Sequence, residues 1–189
     1  MISLPDPCLV VLVGAAGSGK TTLAARLFDP EAVLSSDAHR ALVAGDEADQ
    51  GATKTAFSIL HRRLARRLAE RRTTIVDATN VTAYARRSLV RRSDAAGIPA
   101  VAIVLALEPR IVRARNATRP GRIVPEAAVA RQLVDLERSL RRDGLATEGF
   151  AAVHLIGTAR ALDELMVVWA VQASPTAPPP EGAAETTAD

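Results

Sequence analysis

One cysteine, Cys8, is all that the chain contains. An internal disulfide framework is thereby excluded, and the thiol is expected to be buried and inert. Aromatic residues are scarce too, at 3%. Phe28, Phe57, Tyr84, Phe150 and Trp169 are too few for extensive base stacking. No apolar run approaches the roughly 18–20 residues that span a bilayer. The first residues, MISLPDPC, put an acid and two prolines where a signal peptide has basic residues and an apolar stretch. A cytoplasmic protein with no membrane partner is the expectation. The three histidines, His39, His61 and His154, have no metal-ligand spacing. Lysine is nearly absent: only Lys20 and Lys54 occur, so arginine supplies almost all the positive charge.

What is present is an ordinary globular composition, 48% apolar and 24% charged, over 189 residues. That length suits one domain with a full core. The last residues, 173–189, carry three acids and no base, so the body is more basic than the whole-chain charge of +3. A basic body favours an anionic partner, nucleic acid included. The pairs Arg62-Arg63, Arg66-Arg67, Arg86-Arg87 and Arg91-Arg92 read as solvated helix faces.

Five apolar segments alternate with helical patterns. Cys8–Val13 and Val101–Leu107 are continuous apolar runs, as in strands buried on both faces of a parallel sheet. Ala32–Leu34, Thr74–Val76 and Val153–Ile156 are shorter strand candidates. Phe57, Leu60, Leu64 and Leu68 repeat at helical spacing, as do Leu133, Leu136 and Leu140. Pro125 falls at the first turn of the latter helix. Met166 and Trp169 fit the apolar face of a terminal helix, LDELMVVWAV. Strands alternating with helices predict a three-layer α/β domain over residues 1–172. The proline-rich, polar segment 173–189 is expected to be a disordered tail.

Residues 14–21, GAAGSGKT, match G-x-x-x-x-G-K-[ST] between an apolar strand and a helical run, the context this motif requires. Its glycines let consecutive backbone N–H groups curl around phosphate oxygens at a helix N-terminus. The candidate cradle is Gly14, Ala15, Ala16, Gly17, Ser18, Gly19, Lys20 and Thr21, with Thr22 following. Lys20 is placed to reach the β- and γ-phosphates of ATP, and the Thr21 hydroxyl to ligate Mg²⁺. Two further strand ends deliver acids to the carboxyl edge of the sheet, where ligands bind: Asp37 in LSSDAHR and Asp77 in IVD. One could hold the hydrated metal and the other accept the proton of an attacking hydroxyl; either could instead be a helix N-cap. Arg115, Arg119 and Arg122 recur at spacings of four and three in RARNATRPGR, with the helix expected to end near Arg119 before Pro120-Gly121. They form either a solvated basic helix or a lid that closes over a triphosphate.

Taken together, GAAGSGKT, SSDAHR (35–40), GDEADQGATKTAF (45–57), VDATN (76–80), RNATRPGRIVP (115–125) and EGF (148–150) resemble the P-loop 5′-polynucleotide kinases. The likeness is to the kinase module of bacterial RNA-repair polynucleotide kinase-phosphatases in particular. The resemblance implies a five-stranded parallel sheet in the order 2-3-1-4-5. It implies transfer of the γ-phosphate of ATP, with Mg²⁺, to the 5′-hydroxyl end of RNA or DNA. Asp37 matches the family's general base, Arg40 its anchor for the acceptor's phosphate, and Arg115, Arg119 and Arg122 its lid. With Lys20, the implied catalytic set is Asp37, Arg40 and Arg122; Thr21 and Asp77 are the implied metal site, Asp77 in the outer shell. Pro120-Gly121 stands where the family's lid usually carries an acid. Phosphatase and ligase modules do not follow the kinase here, so the resemblance leaves it acting alone or with separate repair partners. A kinase for a small molecule such as a sugar, antibiotic or nucleoside, or a non-catalytic ATP-binding switch, would use the same loop.

Overall fold

The computed structural model describes residues 1–36, 50–119, 123–141 and 144–171. The strands are β1 (Ile2–Asp6), β2 (Leu9–Val13), β3 (Val33–Ser35), β4 (Thr74–Asp77), β5 (Ala100–Leu105), β6 (Ala152–Ile156) and β7 (Val167–Val171). The helices are α1 (Lys20–Leu27), α2 (Gln50–Ala69), α3 (Ala83–Ala95), α4 (Pro109–Ala117), α5 (Glu126–Leu140) and α6 (Ala159–Asp163).

Five strands form one parallel sheet in the order β3-β4-β2-β5-β6. Counting from the CLVVLV strand, this is the expected order 2-3-1-4-5. Every residue of β2 and β5 is buried, because each lies inside the sheet with helices above and below. Apolar side chains alternate between the two faces. Val10, Leu12, Val101, Ile103 and Leu105 meet α1 and α4 on one side. Leu9, Val11, Val13, Ala102 and Val104 meet Leu60, Leu64 and Leu68 of α2 and Leu89 and Val90 of α3 on the other. Cys8 is fully buried at the mouth of β2, and burial, with the Asp6 charge adding to it, pushes its thiol up to about 12. That thiol is inert, as expected.

Two expectations need correction. The terminal helix ends at Asp163, and Val167–Val171 is a strand pairing in parallel with β1 in a separate two-stranded sheet. Val167, Val168, Trp169 and Val171 are β-branched or aromatic and suit a strand, and Ile2–Asp6, from the other end of the chain, offers the edge on which they pair. Met166 and Trp169 are therefore not on an apolar helix face; Trp169 meets the edge of Phe28, ring centroids 6.2 Å apart. Second, Arg86 is not solvated. Its side chain is fully buried and forms a two-pronged ion pair with Glu148, at 2.7 and 2.6 Å. The helix α4, by contrast, ends where expected, at Ala117 with Thr118 as its C-cap, next to Arg119. Pro125, for its part, is the N-cap directly before α5.

Candidate active site

The loop 14–19 leaves β2 and turns into α1 at the carboxyl edge of the sheet. Its curl depends on two left-handed glycines, Gly17 (φ 86°) and Gly19 (φ 99°). At Gly17 a Cβ would lie 2.4 Å from the Val112 carbonyl oxygen, so only glycine lets the loop rest on α4. Gly14 N–H donates to Thr79 O (2.9 Å), and Ala16 N–H to Gln132 Oε1 (2.8 Å), tying the loop to the end of β4 and to α5.

Lys20 is buried beneath this curl. Its Nζ donates to Gly14 O and Ala15 O, both at 2.8 Å, and to Ser18 Oγ at 3.4 Å. Burial lowers its pKa from 10.5 to about 8; the Asp77 charge works against this, and the Arg119 charge adds to it. Thr21 Oγ1 donates to Asp77 Oδ2 at 2.8 Å. Asp77 is the last residue of β4 and is buried, and the Thr21 hydroxyl rather than a helix N-terminus is its partner. The N-cap of the following helix is Thr82.

A cavity of about 800 Å³ opens in front of this group. Gly19, Lys20, Thr21, Thr22 and Asp77 line it, as do Arg115 on α4 and Arg119 just after it. Ala16 and Gly17 reach it as well. Gly14, Ala15 and Ser18 do not line it; they are the buried backing under Lys20. Ser35 pairs with Asp77 across β3 and β4, and Ser36, the next residue, is on the cavity wall. Asp37, Arg40, His39, Pro120-Gly121 and Arg122 lie outside the described residues, as does the tail.

Residues on the cavity wall and behind it hold the site together. Asn116 brackets the arginine segment: its Nδ2 donates to Val124 O (2.8 Å), and its Oδ1 accepts from Val124 N–H (3.2 Å). Arg26 on α1 donates to the carbonyls of Leu162 and Asp163, which fixes α6 across the far end of the cavity. Gln132 belongs with them. Arg26 and Gln132 act on partners more than a hundred residues away, so no local pattern marks them, whereas Asn116 belongs to the RNATRPGRIVP stretch and bonds within it.

The donors fit a nucleoside triphosphate with its magnesium ion. A buried ammonium now satisfied by loop carbonyls can turn to phosphate oxygens, and a threonine hydroxyl against a carboxylate is suited to a hard cation. Among the described residues no helix is long and apolar enough to cross a membrane.

Solved structures share this fold. A chain of the Pnkp1/Rnl/Hen1 RNA repair complex superposes with a TM-score of 0.61 at 22% identity, covering 72% of this chain and 46% of that one. This chain thus spans less than half of that relative. A gluconokinase from Sinorhizobium meliloti 1021 gives 0.55 at 19% identity, covering 85% and 88%. The PezAT chromosomal toxin-antitoxin system of Streptococcus pneumoniae gives 0.59 at 15%, covering 80% and 67%. At such identities the likeness is one of fold. No curated protein matches the sequence significantly. A family match does extend over residues 9–140, from β2 through the loop, both described acid-bearing and arginine-bearing segments and α5. On that match the chain belongs to the AAA_33 family, an AAA domain, and it has the fold of a P-loop kinase.

Proposed function

We propose that the protein transfers the γ-phosphate of ATP to the 5′-hydroxyl end of RNA or DNA, with Asp37 as general base. The observation that carries this reading is the end of β3. Ser35 pairs with Asp77, and Ser36 stands on the wall of the cavity in front of Lys20; Asp37 is the next residue in sequence. A carboxylate is the group that can take the proton of an acceptor hydroxyl, and Arg40 follows three residues on in sequence.

The residues would divide the work as follows. Lys20 leaves the Gly14 and Ala15 carbonyls for the phosphates, and the loop N–H groups hold them in line. Arg115, Arg119 and Arg122 neutralise the charge that develops on the transferring group. Thr21 and Asp77 would hold magnesium, which would offset the negative charge of the phosphates. Asp37 takes the proton of the acceptor hydroxyl, and Arg40 grips the acceptor's neighbouring phosphate. Residues 1–172 would form this kinase as one domain.

Label from γ-labelled ATP should pass to a 5′-hydroxyl oligonucleotide and fall at least 100-fold in Asp37→Ala. Absence of transfer to DNA or RNA across a range of salt and metal defeats the reading. A small-molecule kinase is the second reading, favoured by the near full-length likeness to a gluconokinase. Undiminished phosphorylation of a small alcohol by Arg40→Ala would select it, because a neutral acceptor has no use for that arginine.

The depressed Lys20 pKa gives a further expected result. Between about pH 8 and 10.5 the unfolded chain holds a proton that folded Lys20 has released, so this group's contribution to stability rises with pH across that window. Triphosphate binding favours the charged form again. Calorimetry in buffers of differing ionisation heat should find uptake of close to one proton at pH 9 and almost none at pH 7. Equal uptake at the two values would show that Lys20 does not meet the phosphates.

A further inference from the structure

The helices α2 and α3 together carry eight arginines and a single acid, Asp94. Biased genome composition does not explain this, because α5 of the same chain holds three acids against two arginines. The two helices cover the same face of the sheet, α2 over β3 and β4, α3 over β2 and β5. They are close neighbours: His61 of α2, whose pKa is lowered first by burial, also senses the Arg92 cation of α3.

Not all of that charge is available. Arg86 is spent on Glu148 inside the protein, and Arg66 is paired with Glu70. Arg62, Arg87 and Arg91 are exposed, and no carboxylate among the described residues pairs with them. Tyr84, the one tyrosine, is 84% exposed in the first turn of α3. It precedes Arg87 by three residues and Arg91 by seven, so the three share one stripe of the helix. The stripe begins at the carboxyl edge of the sheet, since α3 starts six residues after Asp77. It therefore starts at the edge where the candidate active site lies and runs away from it for about 10 Å at 1.5 Å per residue, roughly two nucleotides of extended chain.

We propose that this outer face of α2 and α3 docks the sugar–phosphate backbone of single-stranded nucleic acid, namely the part of an acceptor strand beyond its 5′ end. The inference rests on the polynucleotide reading of the cavity. Arg87, Arg91 and Arg62 neutralise successive phosphates, and Tyr84 offers a ring face to one base. Phosphate contacts of this kind carry no sequence preference and weaken steeply with salt.

The test uses anisotropy of a 3′-labelled, 5′-hydroxyl 15-mer between 50 and 200 mM salt, with Arg87→Glu/Arg91→Glu and Tyr84→Ala. The double variant should bind at least tenfold more weakly, and its plot of log K against log salt should be shallower by roughly 1.4, the loss of two phosphate contacts on a single strand. Tyr84→Ala should weaken binding about fivefold or more at every salt concentration. Transfer to a nucleoside 3′-phosphate, too short to reach the helices, should stay within twofold of wild type, and thermal unfolding should be unchanged.

Equal binding of the 15-mer by wild type and double variant overturns the proposal. So does a parallel loss on the short acceptor, which would mean a disturbed cavity. Wild type that ignores the 15-mer but retains polyglutamate would assign the face to an acidic protein instead. Should wild type bind the 15-mer through these arginines yet phosphorylate no oligonucleotide, the surface stands and the kinase reading falls.

Discussion

Arg86→Met should destabilise the protein by about 3–5 kcal/mol, the cost of leaving one half of a buried ion pair behind. Arg86 and Glu148 have side chains 0% and 2% exposed, so the orphaned carboxylate would have no water to turn to. More than one pair is lost. Arg86 Nη1 also donates to Asn80 O (2.8 Å), and Nη2 to Ser139 Oγ (3.0 Å), which passes its own proton to Val81 O (2.8 Å). Asn80 holds a left-handed backbone, φ 47°, and its Nδ2 donates to Leu12 O (2.8 Å). The guanidinium thus fixes the turn whose neighbouring carbonyl, Thr79 O, receives the first N–H of the phosphate loop. Urea unfolding should show the midpoint fall, and nucleotide affinity should fall with it in the fraction that stays folded. Arg86→Met with Glu148→Met should recover much of the stability, because two apolar side chains of similar volume need no desolvation of charge. A double variant no more stable than the single one would show that the pair holds the backbone rather than balancing charge.

Lys20→Met should act in the opposite sense on stability. Loss of the ammonium removes the main charge facing the phosphates, and phosphoryl transfer should drop on the order of 10³-fold. The fold should not suffer. Lys20 is 8% exposed and its acceptors are neutral oxygens, so at pH 7 burial costs the folded state about 3 kcal/mol, taking the fall from 10.5 to about 8 as the measure. The lost hydrogen bonds to Gly14 O and Ala15 O offset part of this, at about 1 kcal/mol each. A net gain near 1 kcal/mol corresponds to a Tm about 2–4 °C higher for a chain of this length. Scanning calorimetry and label transfer on the same preparation separate the two effects. A lower Tm with retained transfer would reverse both assignments, making Lys20 a structural cation.

The site was legible to the extent that its chemistry is local. Gly17, Gly19, Lys20 and Thr21 fall within a few residues of one another, and the loop's curl needs only their backbone freedom and the helix that follows. Continuous apolar runs likewise marked β2 and β5, since burial on both faces leaves no room for alternation. Asp77 was found as an acid at a strand end, but its partner, the Thr21 hydroxyl 56 residues away, became visible only when β4 was laid beside β2.

What the sequence determined by itself is the alternation of the five central strands with helices and the phosphate loop, because hydrophobic period and glycine stereochemistry act over a few residues. Tertiary structure alone decided which charges are spent inside and which face outward. Arg86 and Arg87 are adjacent in sequence, yet one is buried against Glu148 and the other exposed. A helix turns 100° per residue, and only the packing of α3 on the sheet determines which of the two meets a carboxylate brought in from 62 residues away. The same holds for β7: its residues suit a strand or an apolar helix face, and the edge offered by Ile2–Asp6, at the other end of the chain, made it a strand.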